Sequence, residues 1–192
     1  MRGLIFDPFA GISGDMTVGA LLDLGLPLEW LQSFVAGLNL GAVRVGAERV
    51  NRKGIAATRL QLELPHEHAH RHLHHVVKII EGTGVAPEVR DRAVHAFTLL
   101  AQAEAQVHGT TVERVHFHEV GAVDAIVDIL SAVAGCAELG ATEFWTRPVA
   151  LGRGWVDMEH GHFPVPPPAV LKLLQGIEVV DPAFEGECTT PT

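Results

Sequence analysis

Cysteine is nearly absent: two thiols, Cys136 and Cys188, serve 192 residues. That number offers neither a disulfide framework nor a thiolate zinc site, and Cys136 falls within an apolar helical run, so a reducing cytosol is the expected compartment. Positive charge is scarce as well. Lys and Arg total 14 against 23 Asp and Glu, a formal net charge of -9, and so thin a basic complement argues against nucleic acid or an anionic membrane as partner. Cations suit an acidic chain better. Long uncharged apolar runs are also missing: the N-terminus reaches Asp7 before a signal-length region develops, and no stretch is long enough to span a bilayer. No internal repeat or linker-like composition divides the chain. The 47% apolar content excludes disorder of the whole chain, and the length suffices for one good core or two small ones.

What the chain does carry is a stretch from 116 to 128 in which metal-capable side chains crowd beside an apolar run. If residues 114–119 are extended, a period of two places His116 and His118 on one face and Glu119 on the other. Beyond Gly121 the pattern turns helical, so Asp124 and Asp128 lie four apart on one face among Val123, Ile126, Val127 and Ile129. Burying an unpaired carboxylate costs several kcal/mol, about the whole stability of a small domain, so a cation or a donor is expected to meet each one. The competing reading makes Asp124 a helix N-terminal acid favoured by the dipole and leaves Asp128 facing solvent.

In chain order, Leu4, Ile5 and Phe6 predict a short buried strand ending at Asp7 and Pro8. A loop with Gly11, Ser13 and Gly14 follows, then a helix from Asp15 whose core face is Met16, Ala20, Leu21 and Leu24. A glycine-rich turn opening a helix can hold an anion such as phosphate on backbone N–H groups. The turn lacks the Gly-Lys-Ser/Thr ending of a P-loop and the spacing of a dinucleotide fingerprint, so no nucleotide fold follows from it. Asp7 and Asp15 are candidate cation ligands, with turn formation and N-capping as their commoner duties. A second helix opens at Pro27 and runs to about Leu38.

Alternating apolar residues over 43–64, with a turn at 51–54, predict a β-hairpin. Residues 66–75 then hold six imidazoles, His66, His68, His70, His72, His74 and His75. Neutral imidazole prefers nickel, copper, zinc and cobalt to magnesium or calcium, and a biased tract can wrap such an ion without a preformed cage. The alternative is a solvated loop whose last residues, 72–75, start the following helix. A helix to Glu81 follows, then a long helix from Pro87 to about His108 with Val94, Phe97, Leu100 and Ala101 on its apolar face. His95 and His108, single on that helix, read as structural. A strand near 144–151, a possible site edge at His160 and His162, a helix over 169–174 after the prolines and a short strand over 177–180 complete the pattern. Strands alternating with helices predict an α/β (α+β) domain, with a mixed sheet, a β-hairpin, several packing helices and a His-rich loop.

These motifs together resemble the nickel-insertion proteins of the lactate racemase cofactor pathway. The resemblance is carried by 6–16 (Phe-Asp-Pro-Phe-Ala-Gly-Ile-Ser-Gly-Asp-Met), by the His tract, by 116–124 (His-Phe-His-Glu-Val-Gly-Ala-Val-Asp), and by His160-Gly161 with the following Pro164-Val165-Pro166. It covers nearly the whole chain. One departure is minor: Pro166-Pro167-Pro168-Ala169 stands where the family pattern reads Pro-Ala-Pro-Ala. The other is that residues 187–192 end inside a family motif, whereas full-length members continue into a domain that looks like the CTP-binding part.

The resemblance implies insertion of nickel into pyridinium bisthiocarboxylic acid mononucleotide by a nickel chelatase of the lyase class, with CTP and magnesium or manganese used by the full-length member. It also implies that residues 1–192 form a single nickel-handling N-terminal domain, active only with the C-terminal domain in cis or trans. A homo-oligomer is expected, with lactate racemase as a candidate partner. In that scheme the His tract collects nickel, His116, His118, Glu119 and Asp124 hold it near substrate, Asp7 and Asp128 are further metal ligands, and Gly11, Ser13, Gly14 and Asp15 meet the mononucleotide phosphate. Two alternatives remain open. One is a nickel store or metallochaperone without chemistry; the other is a divalent-metal phosphohydrolase using Asp7, Asp15, Asp124 and Asp128.

Overall fold

One helix, Val123–Glu138, is buried on most of its circumference, from Val123 through Cys136. A helix apolar nearly all round has to sit inside the domain rather than on it. A computed structural model, describing residues 2–64, 71–117, 121–158, 160–183 and 185–192, places the other elements around that helix. Strand β1 is Arg2–Phe6, followed by α1 (Gly14–Asp23), α2 (Leu28–Gly37), and the hairpin β2 (Arg44–Arg52) and β3 (Ile55–Glu63). Next come α3 (Leu73–Glu81), α4 (Pro87–Val107), the central α5 (Val123–Glu138), β4 (Ala141–Thr146), β5 (Val149–Ala150), β6 (Trp155–Met158), β7 (Gly161–Pro164), α6 (Pro168–Leu173) and β8 (Val179–Val180). Helices α1, α2 and α4 pack on α5, while α3 and α6 pack on α4.

The α/β class is as the sequence predicts. Among the described residues the strands divide into four two-stranded sheets: β1–β4 and β5–β8 are parallel, β2–β3 and β6–β7 antiparallel. The strand expected over 144–151 is interrupted at Pro148, which has no N–H to give a ladder, so β4 stops at Thr146 and β5 begins at Val149. The hairpin register pairs Arg52 with Ile55 across a turn in which Lys53 and Gly54 both have positive φ.

The principal core gathers Val18, Leu31, Val76, Phe97, Phe117 and Ile126 from five helices and the 115–117 segment. Two expected faces are only partly right: in β1, Ile5 is 70% exposed, and of the face expected on α1 only Leu21 is buried. On α1, Met16 and Leu24 are 56% and 62% exposed, and the helix instead buries Gly14, Val18, Gly19 and Leu21. Two close approaches set that rotation. A Cβ on Gly19 would lie 2.7 Å from the Thr58 carbonyl oxygen of β3, and one on Gly14 would lie 2.5 Å from the Asp128 Cβ of α5. Gly14 and Gly19 therefore turn inward beside Val18 and Leu21, while Met16 and Leu24 turn outward, against the ranking by hydrophobicity alone.

Candidate functional site

The imidazoles are organised by a short antiparallel bridge. Arg71 pairs with Phe117, whose N–H donates to the Arg71 carbonyl at 2.9 Å, and the Arg71 guanidinium donates to the Gly121 carbonyl at 2.9 Å. Phe117 is fully buried against Phe97, and extended backbone sends the preceding side chain, His116, to the opposite, exposed side. Gly121 is needed there because a Cβ would sit 2.5 Å from that of Phe117. His72, extended at the N-cap of α3, meets His116 with the two Nδ1 atoms 3.4 Å apart and the ring centroids 4.4 Å apart. His74 stacks 5.5 Å from His72 and lies tilted 3.9 Å from His75.

Hydrogen bonds separate the roles of these rings. His72 Nδ1 lies 2.9 Å from the Val115 carbonyl, an acceptor only, so Nδ1 carries the proton and Nε2 is left as the ligating nitrogen. Fixing a ring through Nδ1–H to a backbone carbonyl is the usual second support of a metal-binding His. His75 is used differently: its Nδ1 accepts the His72 backbone N–H at 3.1 Å, closing the helix start. Desolvation first, then electrostatic repulsion from His74, His72, Lys78 and Arg71, holds His75 below the ordinary imidazole range. Of the tract, His66, His68 and His70 lie outside the described residues, as do His118 and Glu119. Among the described residues no three of His, Cys, Asp and Glu are arranged to hold a metal ion together.

A second group forms where α1 meets α5. Asp128 is 8% exposed, with Oδ1 unpartnered. Burial first, and then the charges of Asp15 and Asp124, push its carboxyl up to about 7, against the pull of a hydrogen bond from the Asp15 backbone. The solvent-facing alternative for Asp128 is thus corrected: it lies in the helix packing, while Asp124, one turn earlier, is exposed and accepts from the Ala125 N–H at 2.8 Å. Asp15 faces the same place. Its carboxylate accepts from the Ser13 hydroxyl and, at 2.8 Å, from the Met16 N–H. The Met16 N–H at the start of α1 is thus engaged by Asp15 and, at 3.4 Å, by Ser13, while the Asp15 N–H goes to Asp128.

The glycines of that turn are also occupied by the chain. Gly11 has φ +110°, and a Cβ there would overlap the Cys188 carbonyl oxygen at 1.7 Å. Ile12 N–H donates to that carbonyl at 2.9 Å, and Thr190 N–H donates back to the Ile12 carbonyl at 3.2 Å. Thr189 is buried beneath, its hydroxyl donating to the Ala150 carbonyl at 2.9 Å. The turn read as an anion cradle thus packs against residues 188–190, which the sequence did not connect with it. Asp7 pairs with Arg147 at 3.9 Å.

Single histidines also acquire company. His108 lies 3.3 Å from the Glu104 carboxylate, and its ring meets that of His160 at a centroid distance of 5.0 Å. His162 lies 2.7 Å from Asp157 and stacks on Trp155. No spacing in the sequence links 104–108 to 160, so only tertiary structure finds the first group. Both cysteines are unpaired and buried, and burial pushes each thiol above its ordinary range.

The profile of the nickel insertion protein family matches residues 4–192. Two curated relatives, each called pyridinium-3,5-bisthiocarboxylic acid mononucleotide nickel insertion protein, come from Desulfitobacterium hafniense strains DCB-2 and Y51. They are 44% identical over 192 and 191 residues respectively, and each match takes in 100% of this chain and 48% of the relative. The chain spans about half the length of the curated relatives it matches. No solved structure matches it.

Proposed function

Because the chain belongs to the nickel insertion protein family, matched over residues 4–192, we propose that it receives nickel and presents it for insertion into pyridinium bisthiocarboxylic acid mononucleotide. The observation that carries this reading is the convergence of His72, His74 and His116, held by the bridge between Arg71 and Phe117. The His72 and His116 rings lie with centroids 4.4 Å apart, and with His72 Nδ1 given to the Val115 carbonyl, rotation of the exposed His116 ring toward His72 Nε2 would let the two imidazoles share one ion. Imidazole suits nickel, and the absence of thiolate keeps the binding modest enough to be reversed.

In this reading His72 offers Nε2, steadied by the Val115 carbonyl, and His75 stays neutral as a helix cap. His118 and the earlier His of the tract would complete the nickel shell. The carboxylates of Asp15, Asp124 and Asp128 border the start of α5, the helix that follows the His116 segment. The CTP-dependent step, with magnesium or manganese, belongs to a C-terminal domain beyond the half shared with the relatives. A reducing cytosol fits two unpaired cysteines, and no helix among the described residues is long and apolar enough to cross a membrane.

The test has two parts. Calorimetry should show that changing both His72 and His116 to Ala weakens nickel binding by about tenfold or more, and that wild-type affinity collapses below roughly pH 6.5. The chain, supplemented with the C-terminal half of a Desulfitobacterium hafniense relative, CTP and the mononucleotide, should then transfer nickel to the mononucleotide, followed by mass. Unchanged nickel affinity in the double variant would sink the site. Nickel bound in many loose equivalents without transfer would indicate storage instead.

A further inference from the structure

The groove between the end of α4 and the β6–β7–α6 segment is built for a flat ligand of mixed charge. It encloses about 540 Å³, within the roughly 300–1,000 Å³ of small-molecule sites. Val107, Phe163 and Pro168 give it apolar walls, one of them aromatic. Its charged groups are of both signs: the Glu104 carboxylate on α4 and the Lys172 ammonium on α6. The rings of His108 and His160 stand between the two segments, 5.0 Å apart, with His108 held by Glu104 at 3.3 Å. An apolar slot with one cation, one anion held against His108 and two imidazoles complements a planar ring that is itself positive and carries acid groups on its rim.

We propose that this groove binds the pyridinium ring of the substrate, with an acid group on Lys172 and the cationic ring nitrogen facing Glu104. The proposal rests on the nickel-insertion reading for the identity of the substrate, and on the groove alone for its place. Phe163 stacks with the ring. His160 donates to the second acid group, and His108 orients Glu104. The groove therefore discriminates by the charge of the ring as well as by its shape.

The experiment uses 1-methylpyridinium-3,5-dicarboxylate and its uncharged-ring counterpart benzene-1,3-dicarboxylate, titrated into the full chain by calorimetry. Wild type should bind the pyridinium probe about tenfold more tightly than the benzene probe. Glu104→Gln should erase that preference, Lys172→Ala should weaken both probes, and Lys172→Arg should restore them. Melting temperatures of the variants exclude unfolding as the cause. The inference is overturned if wild type binds neither probe, if it binds both equally, or if Lys172→Ala binds as wild type does. Nickel titrations on the same proteins separate the two ideas: probe binding that depends on Lys172 in a chain that takes up no nickel leaves the groove standing and removes the nickel reading. Nickel uptake with probe binding indifferent to Glu104 and Lys172 does the reverse.

Discussion

Two helix starts in this molecule bear dense motifs, and they are used in opposite ways. At the start of α1 the glycine turn is packed by its own chain: Gly11 lies against the Cys188 carbonyl, Gly14 against Asp128, and Ser13 and Asp15 share the Met16 N–H. At the start of α3 the chain spends one ring, His75, on closing the helix and leaves His74 and His116 exposed around His72. Motif density marks both places as constrained. Packing decides whether the constraint is met by the protein or by something brought to it.

The contrast can be broken most strongly at Gly11. Gly11→Ala adds a side chain at φ +110° into backbone 1.7 Å away, and a loss of roughly 3 kcal/mol or more is expected in urea unfolding. A loss under about 1 kcal/mol would mean that the 188–190 segment yields easily. The α3 start should behave in the other sense, with nickel affinity lost on changing His72 and His116 while the urea midpoint moves little.

Asp128 sharpens the contrast through pH. Its folded carboxyl is raised to about 7 from an ordinary value near 3.9, so the fold favours the protonated form and loses stability as pH rises between about 4 and 7. Asp128→Asn removes that dependence. The variant should melt higher than wild type at pH 8, with the gap shrinking through the window and closing near pH 4. A wild-type melting temperature flat across that range would contradict the buried-acid assignment. The smallest effect is at His75, where Ala should cost about 1 kcal/mol through the lost helix closure and leave nickel affinity within a few-fold.

Much of the fold was legible because it is local. The hairpin of β2 and β3 announces itself by alternation and the turn at Lys53-Gly54, and α4 by Pro87 and its apolar spacing. The rotation of α1 was not, because it is set by the Thr58 carbonyl and Asp128 approaching Gly19 and Gly14 from other elements. The candidate site divides in the same way. Imidazole richness over 66–75 and the alternation of Val115, His116 and Phe117 can be read from composition and period. That His72 meets His116 depends on the bridge between Arg71 and Phe117, and the grouping of Glu104, His108 and His160 on α4 meeting the β6–β7 turn. Neither contact leaves a periodic trace in the sequence.

The two buried thiols have a consequence for how cargo moves. Sulfur would be the strongest soft donor this chain could offer a nickel ion, yet burial keeps Cys136 and Cys188 protonated near neutral pH, and a protonated thiol is a poor ligand. A metal arriving at the α3 start therefore meets nitrogen and oxygen alone. Under the proposed reading, donors of that kind would release a divalent ion readily, and a short residence time for nickel is the expected outcome. If the chain carries nickel as proposed, burial of Cys136 and Cys188 keeps back the atoms that would hold the ion longest.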